Sequence, residues 1–329
     1  MKKRLFVALI LAVLVICMAG CSGMMGASSM MGIPQEEENM TEASHPDAEA
    51  LIIPTMPEEP ANTVILHRSD VLGTEYFLTA MNPWAQYLGE KRTVNSQGAE
   101  ALIRWLLTQD ARDLVDGDET CVFRTTEAVP VYSGWISPAQ NSTKTIRMVA
   151  DRDLAESGLL DDLMSGFREA YGYEVEVLAK SSEEIYLTAA LGEGDLILAK
   201  APAESELLQG NTYFRQIPGF DGLHLSWVRC PYVLCGPSED PAGVAKLTDM
   251  ERAFSAIRKS GSYFISRGDG SEIHRAEVSL WGEKPEGDWY FAVDGDMGPC
   301  LVIAEEMGGY VLSDELTFSL FAADHGIIG

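Results

Sequence analysis

Residues Phe264–Trp281 read FISRGDGSEIHRAEVSLW. A short apolar run, Phe264 and Ile265, ends in the polar sequence Ser266-Arg267-Gly268-Asp269-Gly270-Ser271. Apolar residues then recur at helical spacing, at Ile273, Val278 and Trp281. The pattern predicts a strand, a tight turn and a helix. The free N–H groups at a helix start favour an anion in such a turn. Arg267 adds a forked pair of donors, and Gly268 and Gly270 let the backbone approach a ligand closely. Ser271 stands at the N-cap position. The alternative is a capped turn whose Arg267 pairs with Asp269.

Other segments carry the same theme. They are SGLLDDLMSGFREAYGYEVEVLA (Ser157–Ala179), GDLILAKAP (Gly194–Pro202), YVLCGPSEDPAG (Tyr232–Gly243) and EGDWYFAVDGDMGPCLVIAEEMGGYVLSD (Glu286–Asp314). In this order, with the 264–281 turn, they resemble the tungstate- and molybdate-binding proteins of ABC importers. The resemblance spans most of residues 143–318. It implies a periplasmic-binding-protein-like fold of type II: α/β, two lobes of parallel or mixed sheet flanked by helices, with ligand in the cleft between them. The residues agree. Strand patterns at Ile146–Ala150, Glu174–Leu178 and Asp195–Ala199 alternate with a helical face of Leu160, Leu163, Met164, Phe167 and Tyr171.

The segment VNSQGAEALIRWLLTQDARDLV, Val94–Val115, resembles the helix that closes the chain in that family, yet here it comes first. Strand patterns at Val64–Leu66 and Tyr76–Ala80 precede it. This order is read as a circular permutation, tolerated where native ends lie close together on the surface. It predicts Gly329 near Thr63, with the 136–145 loop joining the old ends. The crossings between lobes are expected near Tyr76–Met81 and Trp227–Gly236. Lobe 1 is then about residues 76–235, and lobe 2 about 236–329 plus 63–70.

Residues 1–21 read as a lipoprotein signal peptide: Lys2, Lys3 and Arg4, an apolar stretch Leu5–Cys17, then Met18-Ala19-Gly20-Cys21. Cys21 is the expected lipidation site, which tethers the protein outside the bacterial cell membrane. Residues 22–62, with scattered methionines and Glu36-Glu37-Glu38, show no lasting period and read as a disordered acidic tether. The solute-binding domain is residues 63–329. A net charge of −26 without a basic patch argues against nucleic acid. Cys121, Cys230, Cys235 and Cys300 are either four free thiols or include a Cys230–Cys235 disulfide, the latter only if the chain turns between them.

Where the family's first strand ends in neutral donors, TTTS, this chain has Ala150-Asp151-Arg152-Asp153. The family's Gly-Thr before the histidine of the 264–281 turn is Glu272-Ile273 here. Carboxylates have no proton to give at neutral pH and repel a dianion. The expected ligand contacts are Asp151, Arg152, Asp153, Ser181, Ser266, Arg267, Gly268 and Ser271. Three outcomes stay open: another anion held by Arg152 and Arg267, a zwitterionic or cationic solute, or a scaffold or sensor protein without a ligand. Asp151, Asp153 and His274, with Glu272, form the one group that suggests acid–base or metal chemistry, but no nucleophile elbow, HExxH or P-loop is present. His67, His224 and His325 lack cluster partners. The expectation is a monomeric binder, not an enzyme, without metal or cofactor, whose partners are a small solute (an oxyanion or another small polar ligand), an ABC permease and, through the lipid on Cys21, the membrane.

Overall fold

A computed structural model describes residues 62–89, 93–118, 120–200 and 213–324. The signal peptide, Cys21, nearly all of the tether, His325 and Gly329 lie outside the described residues. In chain order the strands are β1 (Thr63–Met81), β2 (Arg124–Thr125), β3 (Thr145–Asp151), β4 (Glu174–Lys180), β5 (Leu196–Lys200), β6 (Phe214–Arg215), β7 (His224–Pro237), β8 (Phe264–Ser266), β9 (Tyr290–Ala292) and β10 (Tyr310–Asp314). The helices are α1 (Ser96–Leu106), α2 (Gln109–Asp116), α3 (Arg152–Glu156), α4 (Leu159–Tyr171), α5 (Ser182–Ala190), α6 (Met250–Ser260), α7 (Glu272–Trp281), α8 (Met297–Met307) and α9 (Glu315–Asp324).

The strands form one ten-stranded sheet ordered β4-β3-β5-β1-β7-β10-β8-β9, with β2 on β7 and β6 on β1. The outer members are parallel: β4, β3 and β5 at one end, β10, β8 and β9 at the other. The long strands β1 and β7 stand between them and pair antiparallel with each other and with their neighbours. The sheet is mixed and flanked by helices, as the resemblance implied.

β5 explains its parallel setting. Leu196 and Leu198 face one core cluster and Ile197 and Ala199 another, so both faces are covered and the strand is apolar throughout. β7 divides by length instead: Leu225, Trp227, Val228 and Cys230 join the core that contains α1 and α4, while Tyr232, Val233, Leu234 and Cys235 join the core built on α6, α7 and α8. The second core centres on Phe254, Phe264 and Trp281, with the Phe254 and Trp281 rings 4.5 Å apart. Burying each such aromatic contributes roughly 1.5–3 kcal/mol.

One expectation is corrected here. The separate strands at Val64–Leu66 and Tyr76–Ala80 are one 19-residue strand. Its ladder with β7 shifts register between Arg68 and Gly73, where Ser69–Leu72 bulge out and the Ser69 hydroxyl accepts from the Leu72 amide at 2.8 Å. The bulge also accommodates Pro231, which pairs with Gly73 and has no N–H for the ladder. The alternative left open at Cys230 and Cys235 is resolved in favour of free thiols. They lie on the single extended strand β7, and Cys121, Cys230, Cys235 and Cys300 are all free.

α1 is fastened at its start. The Asn95 side chain accepts from the Gly98 amide at 2.9 Å and donates to the Thr143 and Thr145 carbonyls. Asp195, buried just before β5, accepts from the Asn95 amide and from the amide and guanidinium of Arg147, each closest contact being 2.7–2.8 Å. These bonds tie the α1 entry loop to the parallel strands that end at the candidate site. No helix among the described residues is long and apolar enough to cross a membrane.

Candidate functional site

Two polar loops stand at the carboxyl ends of parallel strands, one in each half of the sheet, where open α/β sheets hold their ligands. The first is built from the ends of β3, β4 and β5. Asp151 ends β3 and Lys200 ends β5. Asp151 is 2% exposed. Its Oδ2 accepts from the Ser182 hydroxyl at 3.1 Å and lies 3.9 Å from Lys200 Nζ. Lys200 Nζ is also 3.9 Å from Asp153, and it stands 5.8 Å from the centre of the Tyr76 ring. Asp151 Oδ1 is buried without a hydrogen-bond partner. Burial pushes the Asp151 carboxyl above its ordinary value, against the pull of Lys200. The Leu154 amide in the first turn of α3, like the Ser182 hydroxyl, also pulls the Asp151 carboxyl down.

Arg152 turns away from both aspartates and pairs with Glu184 at 3.5 Å. Ser181 opens α5, and its amide and hydroxyl both donate to Glu184. Of the first-loop residues expected to hold the ligand, Asp151 and Asp153 therefore meet at Lys200, while Arg152 and Ser181 meet at Glu184.

The second loop follows β8. Ser266 is fully buried and donates to Glu277 at 2.6 Å. Glu277 also accepts from Trp281 Nε1 and the Tyr290 hydroxyl. Arg267 is held on both sides: Nε lies 2.7 Å from Asp269 and donates to the Gly295 carbonyl, and the guanidinium reaches Asp296 at 3.4 Å. Asp269 is held below its ordinary pKa: burial opposes the shift, but bonds from Ser271 and the Arg267 charge outweigh it. Gly268 has φ +70°, and a Cβ there would stand 3.0 Å from that of Ala292. Ser271 occupies the N-cap without a side-chain bond to the helix amides, and its own amide donates to Asp269. The internally paired turn is thus the observed arrangement.

The second loop also carries Glu272. Glu272, in the first turn of α7, has its carboxyl raised by burial; Arg275 pulls it down, Glu75 of β1 pushes it up, and Lys200 from the opposite loop pulls it down. Tyr232, where β7 passes between the cores, has its hydroxyl pushed up to about 12 by burial, and the Glu272 charge adds to this. Lys200 was not singled out in the sequence. Its signal was its place, directly after the apolar run Leu196–Ala199 of a parallel strand. Among the described residues no group of three or more His, Cys, Asp and Glu side chains is arranged to hold a metal ion.

No family model matches the chain. It is 32% identical over 190 residues to a Haloferax volcanii protein provisionally named an ABC transporter anion-binding protein, covering 56% of this chain and 53% of that one. It is 31% identical over 189 residues to the tungstate-binding protein TupA of Peptoclostridium acidaminophilum, covering 56% of this chain and 63% of that one. The matched stretch is thus between half and two thirds of either relative. Among solved structures, the tungstate-binding protein TupA of Desulfovibrio alaskensis G20 is 25% identical, covering 56% of this chain and 72% of that one, with a TM-score of 0.41. The resemblance read in the sequence is present in both curated relatives.

Proposed function

We propose that this chain, similar over more than half its length to anion- and tungstate-binding proteins, is the extracytoplasmic solute-binding lipoprotein of an ABC importer. It captures a small polar solute in a cleft between two lobes, about residues 76–235 and about 236–329 plus 63–70, and presents it to a permease. Lipid on Cys21 tethers it to the cell membrane. Both relatives carry the names of binding proteins, and the chain is read as a binder, without catalysis.

The observation that carries this reading is where the two parallel halves end. Lys200 ends β5 opposite Tyr76 and Asp314 ends β10 opposite Tyr232, so both parallel halves run out at the middle of the β1–β7 ladder. The ladder of β1 and β7 is the connection between these halves, and its bulge at Ser69–Leu72 is the place where bending costs least, because ladder bonds are already interrupted there. Closure by a hinge motion follows from that arrangement. The order of elements, with β1, α1 and α2 ahead of the parallel units, supports a circularly permuted version of the fold.

The pairing of Arg267 with Asp269 and of Arg152 with Glu184 favours a second reading, in which the fold has lost its ligand and serves as a scaffold or sensor partner. A thermal-shift panel on the full chain separates the two. It contains tungstate, molybdate, sulfate, phosphate, simple carboxylates, amino acids and diamines. A bound solute at 100 times its Kd adds about 2.7 kcal/mol and raises the Tm by several degrees. Solute capture predicts such a rise for one chemical class. A flat response across the panel overturns it in favour of the scaffold.

A further inference from the structure

We propose that a cavity beside α1, separate from the loops described above, binds a small organic monoanion: a carboxylate carried on a flat apolar body. The cavity measures about 300 Å³ and is lined by Ser96, Glu100 and Arg104 of α1, Trp135 of the loop before β3, and Arg215 of β6. A volume of this size suits a ligand of one or two rings. The cavity lies toward the opposite end of the strands from Lys200. Arg215 pairs with Ala80 of β1, and Ala80 also pairs with Leu196 at the start of β5, whereas Lys200 at the end of β5 pairs with Tyr76. Four residues of strand, roughly 13 Å, separate the two positions on β5. Occupancy of this cavity is therefore independent of solute capture.

Glu100 sits between two guanidiniums. Arg104 Nη2 is 2.8 Å from one of its oxygens and Arg215 Nη2 is 2.8 Å from the other. Two cations against one carboxylate leave the lining with a net charge of +1, in a chain whose net charge is −26. The polar groups of the lining are also incompletely matched. Arg104 Nε, Arg215 Nε and the Ser96 hydroxyl are shut off from water without a hydrogen-bond partner, while the two arginine side chains as wholes stay 21% and 22% exposed. Buried polar atoms are normally partnered, and a guanidinium can only donate, so the partner it lacks is an acceptor. The first turn of α1 holds no acidic residue, so the helix start favours the same charge. A carboxylate brings acceptor oxygens and one negative charge, which equals the surplus of the lining. A dianion would carry its second charge unmatched beside Glu100. The apolar body falls to Trp135, whose side chain is 73% exposed. Its carbonyl accepts from the Tyr132 hydroxyl at 2.8 Å, and Arg104 lies 5.3 Å from the centre of the Tyr132 ring. Gln97 ties the same loop to α1 by donating to the Ser137 hydroxyl at 2.9 Å. An indole held at the rim of a cationic cavity offers a flat face to an aromatic ligand.

The test is titration calorimetry with the full chain, using naphthoate, its neutral isostere naphthamide, and sulfate as probes. The expected results are saturable binding of naphthoate, binding of naphthamide at least tenfold weaker, and none of sulfate. Arg215→Gln and Trp135→Ala should each weaken naphthoate binding tenfold or more. Arg215 also donates to the Ser96 carbonyl at the start of α1, so Trp135→Ala, at an exposed loop position, decides the matter should Arg215→Gln not fold. Absence of naphthoate binding overturns the proposal. So does naphthamide binding of equal strength, which would leave the charge without a role, and so does sulfate binding as tight as that of naphthoate. Naphthoate binding that is unchanged by Trp135→Ala places the ligand elsewhere on the chain and overturns it as well.

Discussion

Asp195 shows how much a single side chain can hold in place. It is 1% exposed and accepts from the Asn95 amide, the Arg147 amide and the Arg147 guanidinium. Asp195→Ala leaves a guanidinium that is only 18% exposed without its partner. Losing one member of a buried pair costs about 3–5 kcal/mol, and urea unfolding should read a loss of that size with an unchanged m-value. Glu277 makes a pH prediction. Burial raises its carboxyl above the ordinary 4.5, although Ser266, Tyr290 and Trp281 all donate to it. The folded protein therefore holds this proton more tightly than the unfolded chain, and stability attributable to Glu277 falls as pH rises from about 4.5 through the folded value. Glu277→Gln cannot titrate and retains a polar group of the same shape. Thermal melts should find the variant gaining on the wild type between pH 4 and pH 7; a gap that is constant or moves the other way contradicts the assignment. At this scale the sequence was partly legible. Arg267 was visible as a turn residue with two possible roles, and the structure selects the pair with Asp269. Lys200 was not, because its partners arrive from a different strand and helix, and only the parallel alignment of β3 and β5 brings them together.

At the scale of elements, caps and ladders set the site's framework. Asn95→Ala removes the bond to the Gly98 amide and both bonds to the strand-entry carbonyls of Thr143 and Thr145. The expected cost is about 2 kcal/mol, at the upper end for a helix cap, checked by chemical denaturation. Gly73 faces the partner strand where the ladder resumes after the bulge, and a Cβ there would stand 2.4 Å from the Cys230 carbonyl oxygen. Gly73→Ala should destabilise by about 1–3 kcal/mol through overpacking, again read by denaturation, with the effect confined to the β1–β7 ladder in amide exchange. The parallel strands β3, β4 and β5 and helices α1 and α4 were legible because their apolar periods are unbroken. β1 was not legible as one strand. Ser69, Asp70 and Gly73 carry turn chemistry, and they form a bulge inside a ladder instead of a loop between two strands. The Cys230–Cys235 question was likewise decided by whether Pro231 turned the chain, and the bulge opposite lets it stay extended.

For the whole molecule, one mixed sheet carries three core clusters, two of which meet along β1 and β7, and β5 and β10 end opposite Tyr76 and Tyr232 of those two strands. The segment order and the likeness to solute-binding proteins could be read from sequence, since each segment carries local pattern. The charge balance of the two loops could not, because it depends on which carboxylate each cation reaches across the sheet. The account's central claim is capture between the lobes. The direct measurement is the distance between spin labels at Asp161→Cys on α4 and Glu306→Cys on α8, both exposed, in a chain whose half-buried Cys121 is replaced by serine. Saturating amounts of the solute that raises the Tm should shorten and narrow that distance. A distribution unchanged at saturation would mean that the solute binds away from the cleft, and would contradict the account.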